Sequence, residues 1–329
     1  MPWLGAARRW DSVADNRIGV LVMSYGTPES MDDIETYYTH IRRGHPPTPE
    51  QLQDLSSRYE AIVGGVFPLR ANTDRQVAGL QAALDEVDPG RYVCYQGLKH
   101  ARPYIEDGVQ RMADDGIREA VGIVLAPHYS VMSVGSYIKR AEEQAQALGL
   151  QIRFVESYHL HPKLLLALSD RVKRGLARFG ADTAPAEVHV LFSAHSLPAR
   201  ITEMNDPYPR QLLETAAAVA DRAGVTNWSF TWQSAGRTRE PWLGPDILDS
   251  LRELQGKGAA RVLSAPIGFV SDHLEVLYDI DLEARQVAER LGLQLERIEM
   301  LNTDPLYLET LAESVAAEAR TAAEAQGQG

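Results

Sequence analysis

Val188-His189-Val190-Leu191-Phe192-Ser193-Ala194-His195-Ser196-Leu197-Pro198 has the apolar density of a buried strand that runs into a loop. Val188, Val190, Leu191 and Phe192 are β-branched, aliphatic or aromatic, and Pro198 stops regular pairing. A second run, Ile-Gly-Val-Leu-Val-Met-Ser at 18–24, has the same character and is broken by Tyr25-Gly26-Thr27-Pro28. Set side by side, 20–28 aligns without gaps with 190–198, and Tyr25 falls on His195. Two further landmarks recur in order: Tyr95-Gln96 with Pro103 against Trp232-Gln233 with Pro241, and Leu125-Ala126-Pro127 against Ser264-Ala265-Pro266. Read as an internal repeat, they predict two similar α/β domains whose strand-end loops line one cleft; read plainly, they are chance similarities between buried strands. The offset falls from 170 residues at Tyr25 to 137 at Gln96, so the first half carries about 33 additional residues.

Outward from these runs, apolar spacing alternates between two periods. Helices are expected at 30–42 and 50–62, with Ser30 and Thr48 as N-caps and Gly44-His45-Pro46-Pro47 turning the chain between them. Further helices are expected at 73–86, 103–114 and 136–147, with strands at 92–97 and 119–126. The second half repeats the alternation: helix 161–178, strand 187–194, helix 208–223, strand 227–232, helix 246–255, strand 260–266 and helix 272–291. A last, alanine-rich helix at 304–325 is expected to pack across the domains, and 326–329 to be disordered. This is the βαβ signature of doubly wound parallel sheets, in which ligands bind beyond the carboxyl ends of the strands. His195 stands at such an end.

Composition narrows the function classes. The 329 residues, 44% hydrophobic and 24% charged, fit an ordinary globular chain of two domains. No run approaches the roughly 18 apolar residues that span a bilayer, and the N-terminus shows no secretory signal, so a cytoplasmic location without a stable membrane anchor is expected. The single cysteine, Cys94, excludes an internal disulfide and any iron–sulfur cluster held by four cysteines of the chain. A formal net charge of −12 argues against nucleic-acid binding. Against that acidity Arg42-Arg43, with His40, His45 and Arg58 close by, stands out. Gly26 and Gly236 form no dinucleotide fingerprint and there is no P-loop.

The stretch Pro-Ile-Gly-Phe-Val-Ser-Asp-His-Leu-Glu-Val-Leu-Tyr-Asp-Ile-Asp-Leu-Glu at 266–283 sets Glu275, Asp279 and Glu283 four residues apart. On a helix they form a ladder with about 6 Å of rise per step, and like charges so placed cost roughly 0.2–0.5 kcal/mol per pair. A bound cation or a proton path gives a reason for the ladder; a solvated acidic face is the plainer alternative. His195 and Glu275 together offer one nitrogen and one oxygen ligand, which suit a borderline divalent metal such as ferrous iron. A satisfied core histidine is the alternative for His195. Arg42, Arg43 and Arg58 are able to grip carboxylates bidentately, or to line an ordinary helix face. Residues 232–246, rich in tryptophan, glycine and proline, suit a shaped loop over a flat ligand or a packed Ω-loop.

Several motifs taken together resemble one family. They are Ser-Ala-His-Ser-Leu-Pro at 193–198, Asp-Pro-Tyr-Pro at 206–209, Trp-Gln-Ser at 232–234, Pro-Trp-Leu-Gly-Pro-Asp at 241–246 and Gly-Phe-Val-Ser-Asp-His-Leu-Glu-Val-Leu-Tyr-Asp at 268–279. The chain is similar to the ferrochelatases from about residue 17 to 310. Tyr-Gly-Thr-Pro at 25–28, Tyr-Tyr-Thr-His-Ile-Arg-Arg-Gly at 37–44, Gly-Leu-Lys-His at 97–100 and Ser-Tyr with Lys-Arg at 136–140 resemble the monofunctional coproporphyrin ferrochelatases of Gram-positive-type bacteria.

The resemblance implies insertion of ferrous iron into a porphyrin, coproporphyrin III, held between two similar Rossmann-like domains whose parallel sheets face a central cleft. His195 and Glu275 match the metal-binding and catalytic pair, and Asp279 with Glu283 an acidic relay on a helix that widens into a π-type turn. Tyr25, Arg42, Arg58, Tyr59 and Tyr137 match porphyrin-contacting positions, and Lys99 and His100 a pair at the cleft rim. One departure stands out: where the family has Gly-Gly-x-Ser-Pro-Leu, whose serine meets a propionate, residues 64–69 read Gly-Gly-Val-Phe-Pro-Leu, and Phe67 can neither donate nor accept that bond. The expected organisation is an N-terminal domain at 1–155 with a helical insertion at 29–70, a C-terminal domain at 156–303, and the helix and tail at 304–329. Iron is a substrate and no organic cofactor is expected; the chain is expected to be monomeric. Competing readings are a protoporphyrin IX ferrochelatase, a chelatase for cobalt or nickel, and a porphyrin or haem carrier that does not metallate.

Overall fold

Every residue of the run 18–24 is buried, as a strand requires that has neighbours on both sides and helices over both faces. In the computed structural model, which describes residues 17–63, 65, 67–236 and 238–326, this run is β1 (Ile18–Ser24). A 3₁₀ turn then leads to α1 (Ile34–Ile41), α2 (Pro49–Val63) and α3 (Pro68–Val87). There follow β2 (Tyr92–Leu98), α4 (Ile105–Asp114), β3 (Glu119–Val124), α5 (Val134–Leu148), β4 (Gln151–Val155) and α6 (Pro162–Ala177). The second series is β5 (Val188–His195), α7 (Tyr208–Ala223), β6 (Trp228–Gln233), α8 (Ile247–Gly256) and β7 (Arg261–Ala265). It continues with α9 (Leu274–Tyr278), a π-helical segment (Asp279–Ala284), α10 (Arg285–Leu291), β8 (Gln294–Arg297) and α11 (Pro305–Gln326). The N-terminal stretch read for a signal and all but Gln326 of the expected disordered tail lie outside the described residues. Among the described residues no helix is long and apolar enough to cross a membrane.

All pairings are parallel, and the two four-stranded sheets have the same order, β2-β1-β3-β4 and β6-β5-β7-β8. The expected pair of similar α/β units is thus present, with β1 and β5 in matching interior positions. The residue-level alignment needs correcting, however. Val22 pairs with Gln96 and Ile123, while its counterpart Phe192 pairs with Phe230 and Ala265. The ladders therefore equate Gln96 with Phe230, not Gln233, and Ile123 rather than Ala126 with Ala265. Both landmarks were displaced by three residues, an odd shift that turns the strand over. Val22 and Gln96 are 74 residues apart and Phe192 and Phe230 are 38, so the first half carries 36 additional residues rather than 33.

The short edge strands β4 and β8 were not expected from sequence. Gln-Ile-Arg-Phe-Val and Gln-Leu-Glu-Arg are short and interrupted by polar residues, so they lack the continuous apolar run of the central strands; like β2 and β6, each pairs on one side only. Thr48 does cap α2: its hydroxyl accepts from Gln51 N–H at 3.3 Å, and the Gln51 side chain accepts from Thr48 N–H at 2.9 Å. Ser30 instead donates its hydroxyl to Asp33 at 2.7 Å.

The largest core lies between the sheets and draws on both, through Val20, Val22 and Ile123 on one side and Val190, Phe192 and Leu263 on the other. Leu164 and Leu168 of α6 and Tyr307, Leu311 and Val315 of α11 fill the space between. The helices are exchanged: α6 follows the first sheet but packs on β7, and α11 follows the second sheet but returns to α3, β3 and β4. Polar contacts add to the seam, with the Gln76 amide of α3 donating to Ser271 Oγ at 2.9 Å and to the Asn302 carbonyl at 2.7 Å. Separate cores cover the outer faces of the first sheet and the second.

Close packing leaves no room for a side chain where α4 crosses β2. A Cβ added at Gly108 would lie 2.7 Å from the Gln96 carbonyl oxygen and 2.8 Å from Leu21. Gly108→Ala is expected to destabilise the chain by about 1–3 kcal/mol, read as a lower urea midpoint at unchanged slope.

Candidate active site

Parallel strands deliver their carboxyl ends to one end of a sheet, and the matching order of the two sheets makes β1 and β5 the centre of each end. His195 is the last residue of β5, and its Nε2 lies 3.3 Å from Glu275 Oε1. On the other side of the ring Nδ1 bonds the Ser196 carbonyl oxygen. A carbonyl only accepts, so Nδ1 carries the hydrogen and Nε2 is the nitrogen whose lone pair becomes free on deprotonation.

Glu275 stands in the first turn of α9, where unpaired amides favour a carboxylate. Its Oε2 lies 3.5 Å from His273 Nε2, and His273 Nδ1 donates to the Ser271 carbonyl at 3.0 Å. The Gln233 amide holds the Glu275 backbone carbonyl at 3.3 Å, and the Tyr208 hydroxyl holds that of His195 at 3.1 Å. About a third of each side chain in the His195–Glu275 pair stays exposed. Burial opposes charge on His195, but the Glu275 carboxylate outweighs it and lifts the imidazole to about 9. Burial opposes charge on Glu275 too, and His195 reverses that balance, holding the carboxyl well below the usual carboxylate range. At neutral pH the pair is an imidazolium facing a carboxylate.

Asp279 opens the π-helical segment and is buried. The Ser234 hydroxyl donates to its Oδ2, and Arg58 Nη1 lies 3.6 Å from its Oδ1. Burial, and then the Glu275 charge, push the Asp279 carboxyl up to about 7, against the pull of Ser234 and Arg58; Glu283 adds to the rise. The expected single helix at 272–291 is therefore three segments, and the acidic residues follow a turn widened to i→i+5 bonding rather than a regular ladder.

The helical insertion reaches this helix. α2 packs on α9, and Arg58 also lies over the Tyr278 ring at 4.8 Å and 3.4 Å from Asp54. In this structure Arg58 thus meets carboxylates of the protein. Arg42 stays within its own turn, donating to the His45 carbonyl at 3.2 Å and covering the Tyr38 ring.

Tyr25 follows β1 and is 42% exposed, with its ring 4.6 Å from that of His100. The buried Tyr37 and Tyr59 of the first half and Tyr208 of the second are raised chiefly by burial, and the Glu275 charge adds to the rise in each. Tyr59 and Tyr137 are buried: Tyr59 meets Thr27 Oγ1 at 3.3 Å, and Lys99 Nζ lies over the Tyr137 ring at 4.8 Å. The Lys99 amine, lowered to about 8 by burial and neighbouring arginines, also donates to Ser136 at 2.7 Å. Phe67 packs its ring 4.6 Å from that of Tyr59, an apolar contact in place of a hydroxyl.

The loop after β6 folds on itself. Trp242 lies so close to Gly236 that a Cβ there would be 2.3 Å from the indole, and the same indole sits 6.4 Å from the His195 ring. Sequence reasoning gave no role to Ser234, Gln233, His273 or Tyr208, although the motifs at 206–209, 232–234 and 268–279 contain them. Chemically, the site presents one nitrogen and one oxygen donor beside a carboxyl that ionises near neutrality. Among the described residues no three His, Cys, Asp or Glu side chains gather into a closed metal cage.

Comparison with known proteins places this geometry in context. Residues 17–319 match the family model described as Ferrochelatase. The coproporphyrin III ferrochelatase of Bacillus subtilis is 50% identical over 299 residues, covering 90% of this chain and 96% of the relative. That of Geobacillus kaustophilus is 49% identical over 300 residues, covering 90% and 94%. A ferrochelatase of Herpetosiphon aurantiacus is 45% identical over 297 residues, covering 90% and 97%. Among solved structures, SirB from Bacillus subtilis with Fe3+ is similar in fold at a TM-score of 0.59 and 12% identity, covering 95% of this chain and 98% of that one.

The raised Asp279 carboxyl carries a stability signature. Its folded value, about 7 against an ordinary 3.8, favours the folded chain while the group is protonated; that contribution is complete below the ordinary value and is lost as pH rises through 7. Asp279→Asn, which keeps an oxygen for Ser234, is expected to gain about 1–3 kcal/mol over the parent at pH 8 and almost nothing at pH 4. Urea unfolding at the two pH values measures the difference.

Proposed function

The chain belongs to the ferrochelatase family, and from that premise we propose that it inserts ferrous iron into coproporphyrin III, with His195 and Glu275 as the pair that receives the metal. The observation that carries the assignment is the His195–Glu275 contact at the end of β5, whose carboxylate charge also acts on Asp279. The net reaction exchanges one ferrous ion for two pyrrole protons. His195 yields its Nε2 lone pair only by losing a proton, so metal arrival and proton release are coupled at that atom. Glu275 is already ionised and supplies an oxygen without that cost. Asp279 is near half-ionised at neutral pH, which suits a group that takes up a proton and passes it on, with Glu283 next along the helix.

Ring metallation also requires the pyrrole lone pairs to tilt out of the macrocycle plane. Binding energy from the substrate carboxylates, supplied by Arg42 and by Arg58 once it turns from Asp279, is the source this reading assigns to that distortion. The reading assigns Tyr25, exposed and with its ring tilted against that of His100, to one face of the porphyrin, and the buried Tyr59 and Tyr137 to its surroundings. The propionate contact that Phe67 cannot make falls to backbone, water or a neighbour. The reading divides the chain into 1–155 and 156–303, which hold the porphyrin between them, with the helix that begins at Pro305 packing across both. β4 and β8, the last strands of the two sheets, end within those limits. The reading includes no organic cofactor and no iron–sulfur cluster, a monomer, and a cytoplasmic setting without nucleic-acid partners.

Purified chain, ferrous iron and either coproporphyrin III or protoporphyrin IX, mixed anaerobically, are expected to show the absorbance change of metallation with coproporphyrin III at the higher kcat/KM. His195→Ala and Glu275→Gln are expected to lose at least about 100-fold in rate while coproporphyrin binding, followed by fluorescence quenching, stays within about threefold of the parent. Preference for protoporphyrin IX supports the dicarboxylate enzyme instead. Binding without metallation supports a carrier, and near-normal rates in both variants remove the pair from the mechanism.

A further inference from the structure

The helical span that carries Glu275 and Asp279 is held from behind by one side chain. Arg297, the last residue of β8, is 14% exposed. Its Nε and Nη2 donate to the two carboxylate oxygens of Asp281 at 2.8 and 2.9 Å. Nη2 also donates to Asp272 Oδ1 at 3.2 Å, and Nη1 to the Ile298 carbonyl at 3.0 Å. Asp272 lies three residues before Glu275, in the loop that leads from β7; Asp281 lies in the π-helical segment, six residues after it. One guanidinium therefore joins both ends of the span.

The Asp272 end of this staple is itself anchored. Its N–H donates to Asn302 Oδ1 at 2.9 Å, its Oδ2 accepts from Asn302 Nδ2 at 2.7 Å, and its carbonyl accepts from Asn72 Nδ2 of α3 at 3.1 Å. The next residue is His273, whose ring meets Glu275. At the other end, Asp279 and Asp281 turn to opposite sides, the first to Ser234 and Arg58, the second to Arg297. A π turn is the less favourable helical geometry and persists where surrounding contacts over-determine it. A planar fork that reaches three carboxylate oxygens at once does so; an ammonium cannot. The metal-handling steps above make no use of Arg297.

We propose that Arg297 is a positioning residue for iron insertion: by joining Asp272 to Asp281 it holds the π-helical segment in the register that directs Glu275 toward His195 and Asp279 toward Ser234. This rests on the reading of function given above. The test uses the full chain with Arg297→Lys, which keeps the charge and loses the fork, and with Asp281→Asn, which keeps one oxygen for Nε. For Arg297→Lys, kcat/KM for ferrous iron is expected to fall about tenfold, with coproporphyrin III affinity within about twofold of the parent. Backbone amides of 274–291 are expected to exchange faster while those of β1 and β5 keep their protection. Asp281→Asn is expected to lose about threefold in the same iron parameter, and it decides the question alone if Arg297→Lys fails to fold.

Unchanged iron dependence overturns the proposal. So does porphyrin affinity that falls in step with it, or exchange that quickens across both sheets, since each marks a merely structural ion pair. If the parent chain does not metallate coproporphyrin III, the functional reading fails on its own, and the exchange arm still judges the staple: unaltered protection at 274–291 overturns it, and selective loss there supports it.

Discussion

An imidazolium and a carboxylate 3.3 Å apart, half sheltered at the end of a strand, are the interaction on which the rest of the site depends. Each group would be costly to place there alone, and each makes the other's charge affordable. The pair forms only if β5 stops at His195 and the loop after β7 returns to begin a helix next to it. Both conditions follow from parallel strands that end on the same side, with β7 hydrogen-bonded to β5. Tyr208 and Gln233 then pin the backbone on either side of the contact, so the spacing is set by main chain as well as side chain.

The acidic helix that supplies Glu275 is under electrostatic stress. The Asp279 carboxyl is raised first by burial and then by the Glu275 charge; Arg58 pulls it back, and Arg297 pairs with the nearby Asp281. Arg58 comes from the insertion in the first half, and Arg297 from the edge strand of the second. The extra residues that distinguish the first half from the second thus become part of the second half's site. Such a helix is poor design for stability.

Two seams hold the halves in one arrangement. The apolar one is the core between the sheets, filled by α6 and α11, each of which follows one sheet and packs on elements of the other half. The polar one joins Asn72 and Gln76 of α3 to Ser271, Asp272 and Asn302. It lies directly behind the loop that leads into Glu275, so the relation between the halves and the position of the carboxylate are mechanically linked.

Local periodicity was enough to read the central strands and nearly every helix, because a strand buried on both faces is apolar throughout and an amphipathic helix repeats at 3.6 residues. It was not enough for the edge strands β4 and β8, whose half-exposed residues carry no such run, nor for the ladder register, which similar buried strands imitate at the wrong offset. His195, Glu275 and Asp279 were legible as residue types at strand and helix ends and through the family motifs. Sequence by itself determined the alternation of elements and the delivery of His195 to a strand end. Tertiary structure alone decided that Arg58 meets Asp279, that Arg42 stays in its own turn, that Ser234 and His273 complete the site and that Asp279 sits near neutrality. Those outcomes depend on burial and on charges brought together from distant parts of the chain, which no local spacing encodes.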